Sequence, residues 1–103
     1  MILNNEIYQK VQQILVQKYP YPLDQIQPEI RFQIELAIDS FEMFELINTF
    51  EKVFNITINK DDIDKFTYQP QNIQYINDIQ LITIQDVVDY IEKQIQTRDS
   101  LRY

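Results

Sequence analysis

The stretch DSFEMFELINTFEKVF, residues 39–54, has the pattern of an amphipathic helix with a defined start. Asp39 is a good N-cap, and Glu42 three residues later completes a capping-box pair. At about 100° per residue, one half of the helical wheel collects the apolar side chains of Met43, Phe44, Leu46, Ile47, Phe50, Val53 and Phe54. The polar half holds Glu42, Glu45, Asn48, Thr49 and Lys52, with Phe41 as an apolar exception. The pattern therefore predicts a helix that buries seven side chains.

Two further segments have helical periodicity. The first, over about residues 4–18, is marked by Ile7, Val11, Ile14 and Leu15, and the prolines of YPYP at 19–22 end it. The last, over about 84–97, follows a second capping-box pair, Thr83 with Asp86. Its apolar positions are Ile84, Val87, Val88, Ile91 and Ile95.

The connections between these helices also carry apolar residues. Residues 19–38 should form a long loop pinned to the core by Ile26, Ile30, Phe32, Ile34 and Leu36. NITIN at 55–59 should be an extended loop, and DDIDKF at 61–66 one helical turn with Ile63 and Phe66 inward. Residues 67–82 are too apolar for a solvated linker, so we expect them to pack on the bundle with a helical turn around 71–79. The predicted fold is all-α, one domain over residues 1–103: an antiparallel bundle of three main helices plus one short helix, with a long first loop.

The amino-acid composition excludes several kinds of catalytic and binding site. The chain has no Cys, His or Gly, which excludes thiolate nucleophiles, histidine bases, ordinary zinc sites and glycine-rich phosphate loops. Residues 61–64 lack the EF-hand spacing, so no metal site is expected. Net charge −7 disfavours nucleic acid and anionic membranes and favours basic protein partners. No secretory signal or membrane span is visible. We therefore expect a non-enzymatic, monomeric, cytoplasmic protein.

The residues around Ser40 resemble the acyl carrier protein family, also called phosphopantetheine-binding carrier domains. In that family an Asp-Ser-Leu motif opens the second helix, and here the motif reads Asp39-Ser40-Phe41. The resemblance runs from about Ile26 to Phe66 and resumes at LITIQDVVDYIEKQI, residues 81–95.

This resemblance implies an acyl-carrier-protein-like fold and a covalent 4′-phosphopantetheine, taken from coenzyme A, on Ser40. It implies that Asp39 takes part in recognition by a phosphopantetheinyl transferase. The group would carry acyl or aminoacyl thioesters in fatty acid, polyketide or specialised lipid biosynthesis. Acyl-transfer and synthase enzymes with basic surfaces would dock on Phe41, Glu42, Glu45 and Asn48.

The chain departs from the family pattern at several positions. Ala37 stands where the family usually has glycine, so we expect a different loop backbone there. Phe41 replaces leucine, Asn48 replaces an apolar residue and Lys52 an acid. The segment between Phe66 and Thr83 is about fifteen residues longer than the compact form of the family needs. It is an insertion before the last helix.

Residue chemistry alone leaves two functions open. Because Asp39 fills the cap, Ser40 is free to face solvent, and a helix N-terminus favours a phosphate. A serine at a first turn is also often only a helix-start residue. Residues 35–64 hold two lysines and eight acids: Glu35, Asp39, Glu42, Glu45, Glu51, Asp61, Asp62 and Asp64. That surface fits a carrier docked by basic enzymes. It equally fits an unmodified, carrier-like adaptor that binds a protein partner through its acidic second helix.

Overall fold

The computed structural model describes residues 4–59, 61–63 and 82–100. Three α-helices run from Asn4–Lys18 (α1), Ser40–Phe54 (α2) and Ile84–Ser100 (α3). A 3-10 turn covers Leu23–Gln25, and residues 61–63 are helical. Within these ranges no strand forms, and the predicted all-α, acyl-carrier-protein-like architecture is confirmed. None of the helices described is long and apolar enough to cross a membrane.

The helix boundaries agree with the sequence pattern except at the end of α3. This helix continues to Ser100, three residues beyond the predicted end at 97. Residues 98–100 contain neither glycine nor proline, so nothing in the local sequence stops the helix. Residues 98–100 therefore belong to α3.

One apolar core joins the three helices and the connections between them. Every predicted core position of α1 and α3 is buried, but α2 buries only five of the seven predicted side chains: Met43, Leu46, Ile47, Phe50 and Phe54. Phe44 and Val53 are each 46% exposed, so their predicted burial is wrong. The five buried positions span an arc of about 100°, and Phe44 and Val53 lie on either side of it.

The first connection, which joins α1 to α2, is pinned to the core, as predicted. Ile26, Phe32 and Leu36 are buried, whereas Ile30 and Ile34 are partly buried. Backbone hydrogen bonds also attach this connection to the start of α3. The Phe32 N–H donates to the Ile82 carbonyl at 3.0 Å, and the Ile84 N–H donates to the Ile30 carbonyl at 2.9 Å. Ile38, an anchor the sequence pattern missed, is also buried.

The second connection, which follows α2, has no helix or strand over 56–59, in agreement with the predicted loop, and buries Ile56 and Ile58. Asn55 ends α2 in the left-handed conformation, with φ 53° and ψ 53°. Ile63 is partly buried and packs against the core, which agrees with its predicted inward position. The predictions for Phe66 and for a helical turn around 71–79 lie outside the described residues.

Candidate functional site

The start of α2 is fixed by the predicted capping box. The Glu42 N–H donates to the Asp39 carboxylate at 2.7 Å, and the Asp39 N–H donates to the Glu42 carboxylate at 3.2 Å. The Met43 N–H donates to the Asp39 carbonyl at 2.9 Å. Asp39 itself is extended, with φ −81° and ψ 176°, so the chain turns sharply into the helix at Ser40.

Ser40 is exposed at the first position of α2. Across the described part of the chain, no group hydrogen-bonds its hydroxyl, and the backbone N–H groups of Ser40 and Phe41 have no acceptor. Free N–H groups and the helix dipole give this end of α2 a partial positive charge. A phosphodiester on the Ser40 oxygen would therefore meet open donors and no steric enclosure, so the phosphate of a phosphopantetheine arm fits here.

The loop before Asp39 contains a backbone conformation that alanine rarely takes. Ala37 has φ 51°, in the left-handed region that favours glycine. The chain therefore reaches this conformation without glycine. Compared with glycine, alanine pays about 1–2 kcal/mol for it. The expected difference between this loop backbone and that of the family stays a prediction. The buried neighbours Leu36 and Ile38 hold the loop in place, and the Ile38 N–H donates to the Phe32 carbonyl at 2.9 Å.

Two tyrosines of the first connection lie beside this loop. The Tyr21 hydroxyl donates to the Leu36 carbonyl, and the rings of Tyr19 and Tyr21 are 5.5 Å apart between centroids. Burial and the nearby negative charges of Glu42 and Glu45 raise the pKa of Tyr19 to about 12. Burial, followed by the charge of Glu42, also raises the pKa of Tyr21. The sequence pattern marks YPYP only as a helix terminator, although two aromatic residues separated by a single proline in a loop are themselves a packing signal.

The predicted docking residues differ in exposure. Phe41 is 69% exposed and Glu45 is exposed, whereas Glu42 and Asn48 are partly buried. The exposed Phe44 follows Phe41 by three residues and precedes Asn48 by four, so these three share one face of α2. Phe44 is thus a surface residue that the sequence pattern had assigned to the core. We call Phe41, Phe44, Glu45 and Asn48 the α2 face.

Several of the eight acids have structural roles away from this face. Arg31 pairs with Glu35 at 2.9 Å, and this hydrogen-bonded pairing lowers the pKa of Glu35. Glu51 accepts the Ile58 N–H at 3.0 Å, and Asp62 accepts the Tyr90 hydroxyl at 2.5 Å. Glu45, in contrast, has no side-chain partner among the described residues. Its carboxylate is therefore available to a partner.

The described residues contain no group of three or more side chains suited to hold a metal ion.

The family model for the phosphopantetheine attachment site matches residues 9–69, more than half of the chain. An acyl carrier protein of Chlorobium phaeobacteroides is 38% identical over 71 residues, covering 69% of this chain and 91% of that protein. An acyl carrier protein of Karelsulcia muelleri is 32% identical over 96 residues, covering 93% of this chain and 98% of that protein. An acyl carrier protein of Chlorobium phaeovibrioides is 39% identical over 71 residues, covering 69% of this chain and 91% of that protein. The chain therefore belongs to the acyl carrier protein family, whose members are carriers rather than enzymes and whose carrier group is phosphopantetheine.

Proposed function

We propose that Ser40 is the residue that carries 4′-phosphopantetheine. The main support is the Ser40 hydroxyl, which is exposed and makes no hydrogen bond within the described residues. Ser40 begins a capped helix and lies within residues 9–69, the range that the family model matches. Asp39 supports it from the adjacent position, because its carboxylate occupies the capping site and leaves the serine oxygen free. When bound, the group supplies a thiol on which acyl or aminoacyl cargo is carried as a thioester.

The attachment reaction requires a transferase. The Ser40 oxygen forms a new bond to the phosphorus of coenzyme A that bears the pantetheine arm, and the bond from that phosphorus to the bridging pyrophosphate oxygen breaks. Adenosine 3′,5′-bisphosphate leaves with the bonding electron pair. The chain has no histidine, and the Ser40 hydroxyl has no base bonded to it in the described structure. The serine proton is therefore taken by the phosphopantetheinyl transferase.

We propose that the partner enzymes dock on the α2 face and on Glu42. Phe41 and Phe44 supply exposed apolar area, and Glu45 supplies a free negative charge. Enzymes with a basic surface around an apolar recess complement this arrangement. The tethered cargo then reaches each active site at high effective concentration. The proposed setting is fatty acid biosynthesis or a related polyketide or specialised lipid pathway.

We further propose that residues 1–103 act as one domain and as a monomer in the cytoplasm. The support for one domain is the single core that joins α1, α2, α3 and their connections. A monomer leaves the α2 face open to successive enzymes. The second candidate function is an unmodified adaptor that binds one partner through the same face. It is favoured by the exposed Phe41 and Phe44, because apolar surface of this kind supports binding without any modification.

Intact-mass measurement separates the two functions. We would incubate the chain with coenzyme A and a permissive phosphopantetheinyl transferase, and compare Ser40→Ala with Ser100→Ala. Ser100 is a matched control because it is an exposed serine whose hydroxyl donates to the Thr97 carbonyl at 2.9 Å in the last turn of α3.

We expect wild type and Ser100→Ala to gain one phosphopantetheine, and Ser40→Ala to gain none while keeping its helical circular dichroism. Modification of Ser40→Ala would remove Ser40 as the attachment residue. A folded wild type left unmodified by a panel of transferases would favour the adaptor.

A further inference from the structure

Tyr21 contacts the loop that leads into Ser40. Its hydroxyl donates to the carbonyl of Leu36, fifteen residues further along the chain. Leu36 is buried, so this carbonyl has little access to water. The ring of Tyr21 is itself partly buried against the core and lies beside Tyr19. The hydrogen bond therefore joins a fixed ring to one particular peptide group.

That peptide group controls the unusual conformation of Ala37. The Leu36 carbonyl and the Ala37 N–H belong to one peptide plane, and Ala37 has φ 51°. Rotating this plane by half a turn would move Ala37 to a negative φ, the change that distinguishes the two common types of β-turn. The same rotation would point the Leu36 carbonyl away from Tyr21. The orientation of this peptide that allows the Tyr21 hydrogen bond is thus the same orientation that keeps Ala37 left-handed.

The conformation of Ala37 sets the direction in which the chain enters α2. Only the buried Ile38 separates Ala37 from the Asp39 cap, and Ser40 follows at once. We propose that Tyr21 is a positioning residue that holds the Leu36–Ala37 peptide in the orientation presenting the Ser40 hydroxyl to the modifying enzyme. This role rests on the proposed attachment at Ser40. It also accounts for how the loop keeps a left-handed residue without glycine.

Three variants test the proposal. Tyr21→Phe removes the hydroxyl and keeps the ring. Tyr8→Phe is the matched control. The Tyr8 hydroxyl, in α1, donates at 2.5 Å to the carbonyl of Ile26, which lies in the same connection as Leu36 but is not next to Ala37. Tyr21→Phe/Ala37→Gly adds a residue that takes the left-handed conformation readily. For each chain we would measure the initial rate of phosphopantetheine transfer from coenzyme A. On unmodified protein we would also measure amide hydrogen exchange at Ile38, whose N–H donates to the Phe32 carbonyl at 2.9 Å directly after Ala37.

We expect Tyr21→Phe to lower the transfer rate roughly three- to tenfold, the range set by one lost hydrogen bond, and to accelerate exchange at Ile38. Tyr8→Phe should transfer at the wild-type rate, and the double variant should regain most of the lost rate. Wild-type transfer and exchange in Tyr21→Phe would overturn the proposal. A slow Tyr21→Phe that glycine at 37 does not rescue would also overturn it.

If wild type accepts no phosphopantetheine, the proposed function fails. The exchange data then decide the Tyr21 role in the loop independently.

Discussion

The guanidinium of Arg98, in the last turn of α3, donates to the carbonyl of Phe54 at 2.8 Å. The same nitrogen, Nη1, donates to the carbonyl of Asn55 at 3.0 Å. Phe54 is the last residue of α2, so these carbonyls lie at the end of a helix where backbone acceptors lack partners within the helix. Arg98 therefore caps α2 from another helix and adds a positive charge at its negative end.

Removal of this cap should destabilise the fold without affecting Ser40, which lies at the opposite end of α2. We expect Arg98→Ala to lower the free energy of unfolding by about 1–2 kcal/mol, because charge-assisted hydrogen bonds are lost. Urea denaturation measures the change. Phosphopantetheine transfer to the folded variant should proceed at the wild-type rate.

Lys52→Ala is the matched control for the charge alone. Lys52 is an exposed cation in the last turn of α2 with no hydrogen bond within the described structure. Its removal should lower the free energy of unfolding by only about 0.3–0.5 kcal/mol, the dipole contribution of a surface cation. Equal losses in the two variants would show that Arg98 acts through charge and that its hydrogen bonds contribute little.

The parts of the fold that follow from short-range patterns could be predicted from the sequence. Asp39 with Glu42, and Thr83 with Asp86, are pairs three residues apart, and both form the predicted capping bonds. The core positions of α1 and α3 follow from helical periodicity in the same way. The motif at Ser40 lies at the head of α2, so the candidate site also depended on local sequence.

The parts that depend on distant contacts could not be predicted. Arg98 reaches Phe54 across 44 residues, and Tyr21 reaches Leu36 across 15, and no local pattern marks either partner. Phe44 was misassigned because its apolar side chain indicates burial, whereas its exposure depends on how far the neighbouring elements wrap around α2. Such packing limits come from tertiary structure and not from periodicity.

The raised pKa of Tyr19 predicts a loss of stability in alkali. Its pKa rises from 10.0 to about 12 in the folded protein, so the folded state holds the proton more tightly than the unfolded state. The stabilisation is complete below pH 10 and is lost as the pH rises through about 12. We expect Tyr19→Phe to show a shallower decline of the urea midpoint over this window than wild type. Parallel declines of the two midpoints would contradict the assigned environment of Tyr19.

The exposed phenylalanines of α2 should contribute to binding and little to stability. We expect Phe41→Ala and Phe44→Ala each to raise the KM of the phosphopantetheinyl transferase roughly tenfold, because apolar anchors dominate interface energies. The free energy of unfolding should change by about 0.5 kcal/mol or less, as for most surface substitutions.

Phe50→Ala, on the buried side of the same helix, provides the contrast. Phe50 is 1% exposed, and its truncation should lower the free energy of unfolding by about 3–5 kcal/mol. A large stability loss in Phe44→Ala would mean that Phe44 packs in the core in solution. Unchanged KM values for both surface variants would remove these rings from the docking surface.

Glu45 offers the cleanest electrostatic test of docking. Charge reversal at Glu42 would also remove one half of the capping box, whereas Glu45 has no side-chain partner among the described residues. We expect Glu45→Lys to lower kcat/KM for the transferase at low salt, with the difference narrowing as salt screens the attraction.

The control is Glu29→Lys, which makes the same change in net charge at an exposed acid of the first connection. Glu29 lies between Pro28 and Ile30, whose carbonyls accept hydrogen bonds from the start of α3. If Glu29→Lys slows transfer as much as Glu45→Lys does, total charge and not the α2 face steers the enzyme. If neither variant changes kcat/KM at any salt concentration, docking does not depend on the acidic surface of α2.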